Sequence, residues 1–271
     1  GGSSDLAQAN AAQDQIEILE SAEPSPLTVL PTDASNLANL LDVTNAVLAR
    51  SPPLDPVARR AVVLAPWGVD AGRRDAWAAL SETQKSAWTA AATSTRASMR
   101  EGFARRGDLV DGWRYPPPGI GNAGMDDELR AAVALSGLAA LEISEAAYVR
   151  ADTDINGEPL LGSQSYELTL PAEVPANGFW SLSMYEFDAD GRLFFTENPI
   201  NRYAIGDRTA ALTRNADGTL TIVVQNTSPG DTENWLPCPS GRFSLAFRLY
   251  LPKASFLAGD WRVPGIRPAN A

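Results

Sequence analysis

Phe179-Trp180-Ser181-Leu182-Ser183-Met184-Tyr185 and Phe243-Ser244-Leu245-Ala246-Phe247-Arg248-Leu249-Tyr250 decide the fold class. Large apolar side chains alternate with smaller or polar ones in both, the period that sends successive residues to opposite faces of a β-strand. Tyr166 to Leu170 and Thr219 to Gln225 read the same way. The turn pairs Asn156-Gly157, Asp190-Gly191, Asp217-Gly218 and Ser240-Gly241 punctuate these runs. From about Ala147 the text therefore predicts an antiparallel β-sandwich, jelly-roll-like in the spacing of its strands.

Upstream the period changes. Asp126 and Asp127 place acids at the positive end of a helix expected to reach Glu142, with Leu129, Val133, Leu138 and Leu141 available for burial. Before it, Trp113 to Gly121 contains Pro116, Pro117 and Pro118, so this stretch cannot be helical and is expected to be a linker or a wrapping arm. From Asp5 to about Phe103 the chain is Ala-rich and broken by prolines such as Pro24, Pro52 and Pro66, which predicts several short helices. Ser81 followed by Gln84 is a capping box and should open a long helix. Trp88, Ala92, Thr95, Met99 and Phe103 recur on one face of that helix as a core-facing stripe, with Arg96 and Arg100 left to water. The expected class is α+β, with a helical region over 1–110 and a β domain over 111–271. Gly1-Gly2-Ser3-Ser4 reads as an expression scar or the remnant of a removed export signal.

Composition narrows the chemistry. The chain has 271 residues and 44% apolar content, enough for a substantial core. It carries 22 basic and 33 acidic side chains, a net charge of −11, which disfavours nucleic acid and anionic membranes as partners. No apolar run approaches transmembrane length. With no histidine, a Ser-His-Asp triad, a Cys-His dyad and a His-ligated metal are excluded, and the single Cys238 excludes a disulfide within the chain. P-loop, dinucleotide-binding and nucleophile-elbow motifs are absent from the text, so no cofactor is expected.

Several blocks in the β part resemble the domain-of-unknown-function family 1214. They are Phe179 to Tyr185, Asn198-Pro199-Ile200-Asn201-Arg202-Tyr203-Ala204-Ile205-Gly206-Asp207-Arg208, Asn234-Trp235-Leu236-Pro237, Phe243 to Tyr250, and Gly259-Asp260-Trp261. Over roughly residues 111 to 268 their order and spacing are similar to that family, which usually forms the C-terminal half of longer bacterial envelope or secreted proteins. The resemblance implies a β-sandwich, a periplasmic or secreted location and no established reaction. Cys238 stands where the family pattern has a small residue such as Ala.

Candidate chemistry concentrates in Asn201 to Arg208. Arg202 and Arg208 beside Asp207 could clamp an anionic or sugar-like ligand through the planar guanidinium fork, with Tyr203 beside them. Equally, these arginines could pin loops by bonding carbonyls or Glu197. With histidine absent, an Asp/Glu pair is the enzymatic alternative, a metal-independent hydrolase or lyase; Asp207 and Glu197 are its first candidates, with Glu186, Asp188 and Glu233 nearby in sequence. Trp180 and Tyr250 sit in strand patterns and are expected in the core, whereas Trp235, in a Pro-rich loop, is expected to face a ligand. Asp152 to Gly157 begins like a calcium loop, but its twelfth position is Ser163 rather than a bidentate Glu, so a hairpin turn is expected there and no metal. Cys238, between Pro237 and Pro239, is expected to be a buried filler. The function expected from all this is binding of a small, carbohydrate-like ligand or of a partner protein.

Overall fold

The computed structural model describes residues 35–52, 57–124, 126–137, 139–189, 191–231 and 233–269, together with 11, 14, 15 and 33. Two compact units emerge, Gly1–Ser98 and Met99–Ala271. Most of the expected helical text before residue 33 lies outside the described residues.

In the first unit, helix α1 (Leu37–Arg50) starts where Asn36 Oδ1 accepts the backbone N–H groups of Ala38 and Asn39. Asn45 is fully buried on this helix and satisfied by the loop it faces: its side chain donates to the carbonyls of Gly68 and Arg73 and accepts from the N–H of Asp70. Helix α2 (Val57–Leu64) runs into a 3₁₀ turn, Ala65–Trp67. The capping box forms as expected, with Ser81 N–H donating to Gln84 Oε1 at 2.9 Å and Gln84 N–H to Ser81 Oγ at 3.3 Å. Helix α3 (Glu82–Arg105) follows. Its expected core stripe is realised only at the start: Trp88 packs on the small cluster of Leu41, Val69, Ala76 and Leu80, while Thr95 is exposed and Arg96 half-buried. The cluster is too short to cover more of a 24-residue helix rich in Ala, Ser and Thr. The side chains of Arg100 and Phe103 lie outside the described residues.

The second unit is strand-rich. Its strands are β1 (Leu109–Val110), β2 (Trp113–Arg114), β3 (Ala146–Ala151), β4 (Tyr166–Leu170), β5 (Ala176–Phe187), β6 (Leu193–Phe194), β7 (Ala204–Gly206), β8 (Leu220–Gln225), β9 (Trp235–Pro237), β10 (Phe243–Pro252) and β11 (Arg267–Pro268). One sheet of seven strands has the order β1-β2-β3-β10-β5-β6, with β7 also paired to β5, and every pairing in it is antiparallel. The second sheet, β11-β4-β8-β9, is antiparallel except for the parallel β8/β9 pair. Alternation places Val149, Trp180, Leu182, Met184, Leu245, Phe247 and Leu249 of the first sheet against Tyr166, Leu168, Leu170, Leu220, Ile222 and Val224 of the second. Each such side chain, once fully buried, contributes roughly 1.5–3 kcal/mol. The strand-rich sheets curl into a half-barrel, so the chain is α+β with a helical N-terminal region.

Three local features differ from the sequence expectation or refine it. Helix α4 (Asp127–Ser136) stops well short of Glu142: the backbone turns extended at Gly137, a poor helix former, whose N–H closes the last helical bond to Val133 O at 2.7 Å. Its start is as read: Asp126 Oδ1 accepts Leu129 N–H, and Arg106 bridges Asp126 and Glu128 at 2.9 Å each. The Leu129 N–H and Arg106 hold the Asp126 carboxyl below its ordinary range. The Trp113 to Pro118 stretch is neither a linker nor a mere wrapping arm. Trp113 is 0% exposed and its indole N–H donates to Pro264 O at 2.7 Å, while Tyr115 Oη accepts Val263 N–H at 2.8 Å. Asp154 closes the Asp152–Gly157 turn by accepting the N–H groups of Asn156 and Glu158, and Gly157 takes a φ of 85°. Among the described residues no group of three or more Cys, Asp or Glu side chains is placed to hold a metal ion, and no helix is long and apolar enough to cross a membrane.

Candidate functional site

The same alternation that fills the core populates the opposite face of the seven-stranded sheet. On β10 that face carries Ser244, Ala246, Arg248 and Tyr250; on β5 it carries Phe179, Ser181, Ser183 and Tyr185; on β3 it carries Tyr148 and Arg150. Register sets Arg248 directly between Tyr148 and Ser181. Its guanidinium donates to Ser183 Oγ and to Tyr185 Oη, both at 2.7 Å. It also lies 5.7 Å from the Tyr148 ring centroid and 5.5 Å from that of Tyr185. Among the described residues no carboxylate comes within salt-bridge distance of Arg248.

Aromatic contacts extend from this arginine in both directions. Tyr250 stacks on Phe179 at 4.1 Å and meets Tyr148 edge-on at 6.4 Å, and the Arg208 guanidinium lies 4.4 Å over Phe179. On the other side Tyr185 stacks on Phe195 at 4.8 Å, and Phe195 meets Tyr203 at 5.4 Å. Tyr148 is 38% exposed and Phe195 54%, so rings of this belt reach solvent. Burial, with the Tyr250 hydroxyl second and against Arg248, pushes the Tyr148 phenol above its ordinary range. It therefore stays a neutral donor at physiological pH.

The residues singled out from sequence separate here. Tyr203 and Arg208 stand at opposite ends of the aromatic belt. Arg202 is tied to the segment that leads into β9. Its Nη1 donates to the carbonyls of Glu233 at 2.8 Å and Trp235 at 2.9 Å, while Asn198 clasps the loop by accepting Arg202 N–H and donating to Arg202 O. Asp207 is exposed, with one oxygen 3.4 Å from the Trp180 N–H, and Glu197 is exposed in the preceding loop. Asp188 pairs with Arg192, and Glu233 accepts from the Thr213 hydroxyl. Trp235 departs most from expectation. Its Pro-rich segment is the short parallel strand β9, the ring is 2% exposed, and the indole N–H donates to Gln225 O at 2.9 Å. Trp180 is in the core, stacked on Phe247, but Tyr250 is on the outward face and half-buried.

Arg248, Tyr148 and the sheet face they share were not identified as a site from sequence. A signal existed: Arg248 and Tyr250 have opposite parity to Phe247 and Leu249, and Tyr185 has opposite parity to Met184. Two cavities lie elsewhere and hold none of these residues. One of about 300 Å³ is lined by Asp111, Ile155, Glu167, Thr169, Pro264, Gly265 and Arg267, and one of about 280 Å³ lies around Arg130 and Val133. Cys238 is buried, and burial pushes its thiol up to about 12.

Residues 145–254 match the family described as "Protein of unknown function (DUF1214)". Among solved structures the chain is similar to the VPA0106 protein from Vibrio parahaemolyticus, at 22% identity and a TM-score of 0.66 over 92% of this chain and 60% of that one. A putative uncharacterized protein from Burkholderia cenocepacia aligns at 15% identity and a TM-score of 0.35, over 88% of this chain and 49% of that one. The chain thus spans about 60% of the length of the Vibrio protein, and that likeness speaks to fold alone. No curated protein matches it. The match over residues 145–254 is to the same family that the sequence blocks resemble.

Proposed function

We propose that the strand-rich part of this chain, 111–271, is a binding domain of a periplasmic or secreted bacterial protein. Its ligand, a small carbohydrate-like compound, docks on the outward face of the seven-stranded sheet. One observation carries this reading: Arg248 lies between the rings of Tyr148 and Tyr185, and the belt reaches solvent at Tyr148 and at Phe195, which stacks on Tyr185, so that flat faces and tyrosine hydroxyls suit the two sides of a sugar ring. Location rests on the family resemblance. Tyr203 and Arg208 border the surface, and Arg202, Trp235 and Asp207 hold the elements beneath it. No arrangement among the described residues favours the two-carboxylate chemistry of Asp207 and Glu197.

The test is a thermal-shift screen of the full chain against neutral and acidic saccharides, since a ligand that binds the native state raises the midpoint by mass action. A shift that Tyr148→Ala abolishes while remaining folded is the expected result. A shift that survives both Tyr148→Ala and Phe195→Ala would move the site off this face.

A further inference from the structure

We propose that the ligand bears a carboxylate and that Arg248 receives it, an inference that rests on the outward face being the binding surface. The charges on that face are the first reason. Residues 111 to 271 hold 12 basic and 20 acidic side chains, yet the outward face gathers arginines. Arg114 stands directly opposite Arg150 across β2 and β3, a like-charge pairing that weakens a sheet. Arg150 is neutralised by Asp152, with two bonds of 2.9 Å. Arg248, diagonal to Arg150, has no such counter-ion among the described residues: both of its bonds go to neutral hydroxyls. A guanidinium presents five N–H donors in a fork, so donors remain after Ser183 and Tyr185 are served.

Two hydroxyl partners on β5, one for each terminal nitrogen, fix the orientation of that fork and reduce the rotamer entropy lost when a ligand arrives. The flanking phenols withdraw part of its hydration, which strengthens any anion contact made there. One oriented, half-buried cation matches one carboxylate, and the adjacent, solvent-reaching ring of Tyr148 provides a stacking face for the sugar that carries it. An acidic saccharide of the uronic type meets both requirements.

Calorimetric titration of the full chain with cellobiouronic acid and with cellobiose, which share one ring scaffold, tests this without any variant. The acid should bind at least roughly tenfold more tightly, as expected for one charge-assisted contact. Arg248→Gln, checked for folding by circular dichroism, should erase that preference, and added salt should narrow it in the wild type. Equal binding of the two sugars, or an acid preference that persists in folded Arg248→Gln, overturns the inference; Tyr148→Ala weakening both sugars would then leave the face standing as a binding surface. Binding of neither sugar overturns the inference and the surface together.

Discussion

Replacing Arg202 by alanine separates a loop pin from a ligand contact. Its Nη1 is shared by two carbonyls, at 2.8 Å to Glu233 and 2.9 Å to Trp235. Water can replace the guanidinium at the solvent-exposed Glu233 carbonyl, so that bond contributes little net stability. The Trp235 carbonyl is part-buried beneath the loop, and leaving it without a donor costs about 1–3 kcal/mol. Loss of the clasp between the 198–203 loop and β9 brings the expected destabilisation to roughly 2–3 kcal/mol, which for a unit of this size is a fall in Tm of about 5–10 °C. Arg202→Lys should land between wild type and alanine, since one ammonium cannot reproduce the planar fork. Differential scanning calorimetry of the full chain reads this directly, alongside saccharide titration of the same samples. The structural role requires a lowered Tm with unchanged saccharide affinity. A Tm within about 1 °C of wild type together with lost binding would refute the reasoning and return Arg202 to the ligand site.

Other perturbations follow from the same geometry. Trp113→Ala empties a fully buried site and orphans Pro264 O, so it should cost about 3–5 kcal/mol in denaturant unfolding, whereas a linker residue would cost almost nothing. Gly206→Ala would set a Cβ 2.4 Å from Trp180 O, which should part β7 from β5, lower Tm and disturb Arg208; an unperturbed Tm would contradict the pairing of Gly206 with Ser181. The Cys238 thiol should resist alkylation in the native chain and react once denaturant is added. Because burial raises its folded value from 9.0 to about 12, the stability it contributes is complete below pH 9 and falls as pH climbs toward 12; a native chain that alkylates rapidly near neutrality would contradict this.

Much of the fold was legible because strand and helix signals are local. Phe243 to Tyr250 announces its two faces by alternation alone, and Ser81 with Gln84 announces a helix start by reciprocal capping. The helix expected to reach Glu142 is overextended because Leu138 and Leu141 continue a plausible apolar pattern past Gly137, and periodicity does not weigh the helix-breaking cost of a glycine. Trp113 and Tyr115 were missed as core because the prolines beside them forbid helix without saying what the side chains reach, and their partners Pro264 and Val263 lie far along the chain. Trp235 misled for a related reason. A Pro-flanked segment looks like loop, and its parallel pairing with β8 is a non-local event that no turn signal marks. The candidate site was the least legible part. Arg202, Tyr203, Asp207 and Arg208 are adjacent in sequence, but backbone alternation and the turn after Gly206 send them to different tasks. Tyr148, Tyr185 and Arg248 come from three strands and meet only through register.

The claim that the outward face of the seven-stranded sheet binds a saccharide is tested most directly by the tyrosines themselves. The chain has six, of which Tyr148, Tyr185, Tyr203 and Tyr250 lie on or beside that face, while Tyr115 and Tyr166 are buried in the core. Ring-labelled tyrosine NMR spectra of the full chain, recorded during titration with cellobiouronic acid, should show shifts at Tyr148, Tyr185 and Tyr250 with Tyr115 and Tyr166 unmoved. Shifts confined to Tyr115 and Tyr166, or saturable binding with every tyrosine unmoved, would contradict the account.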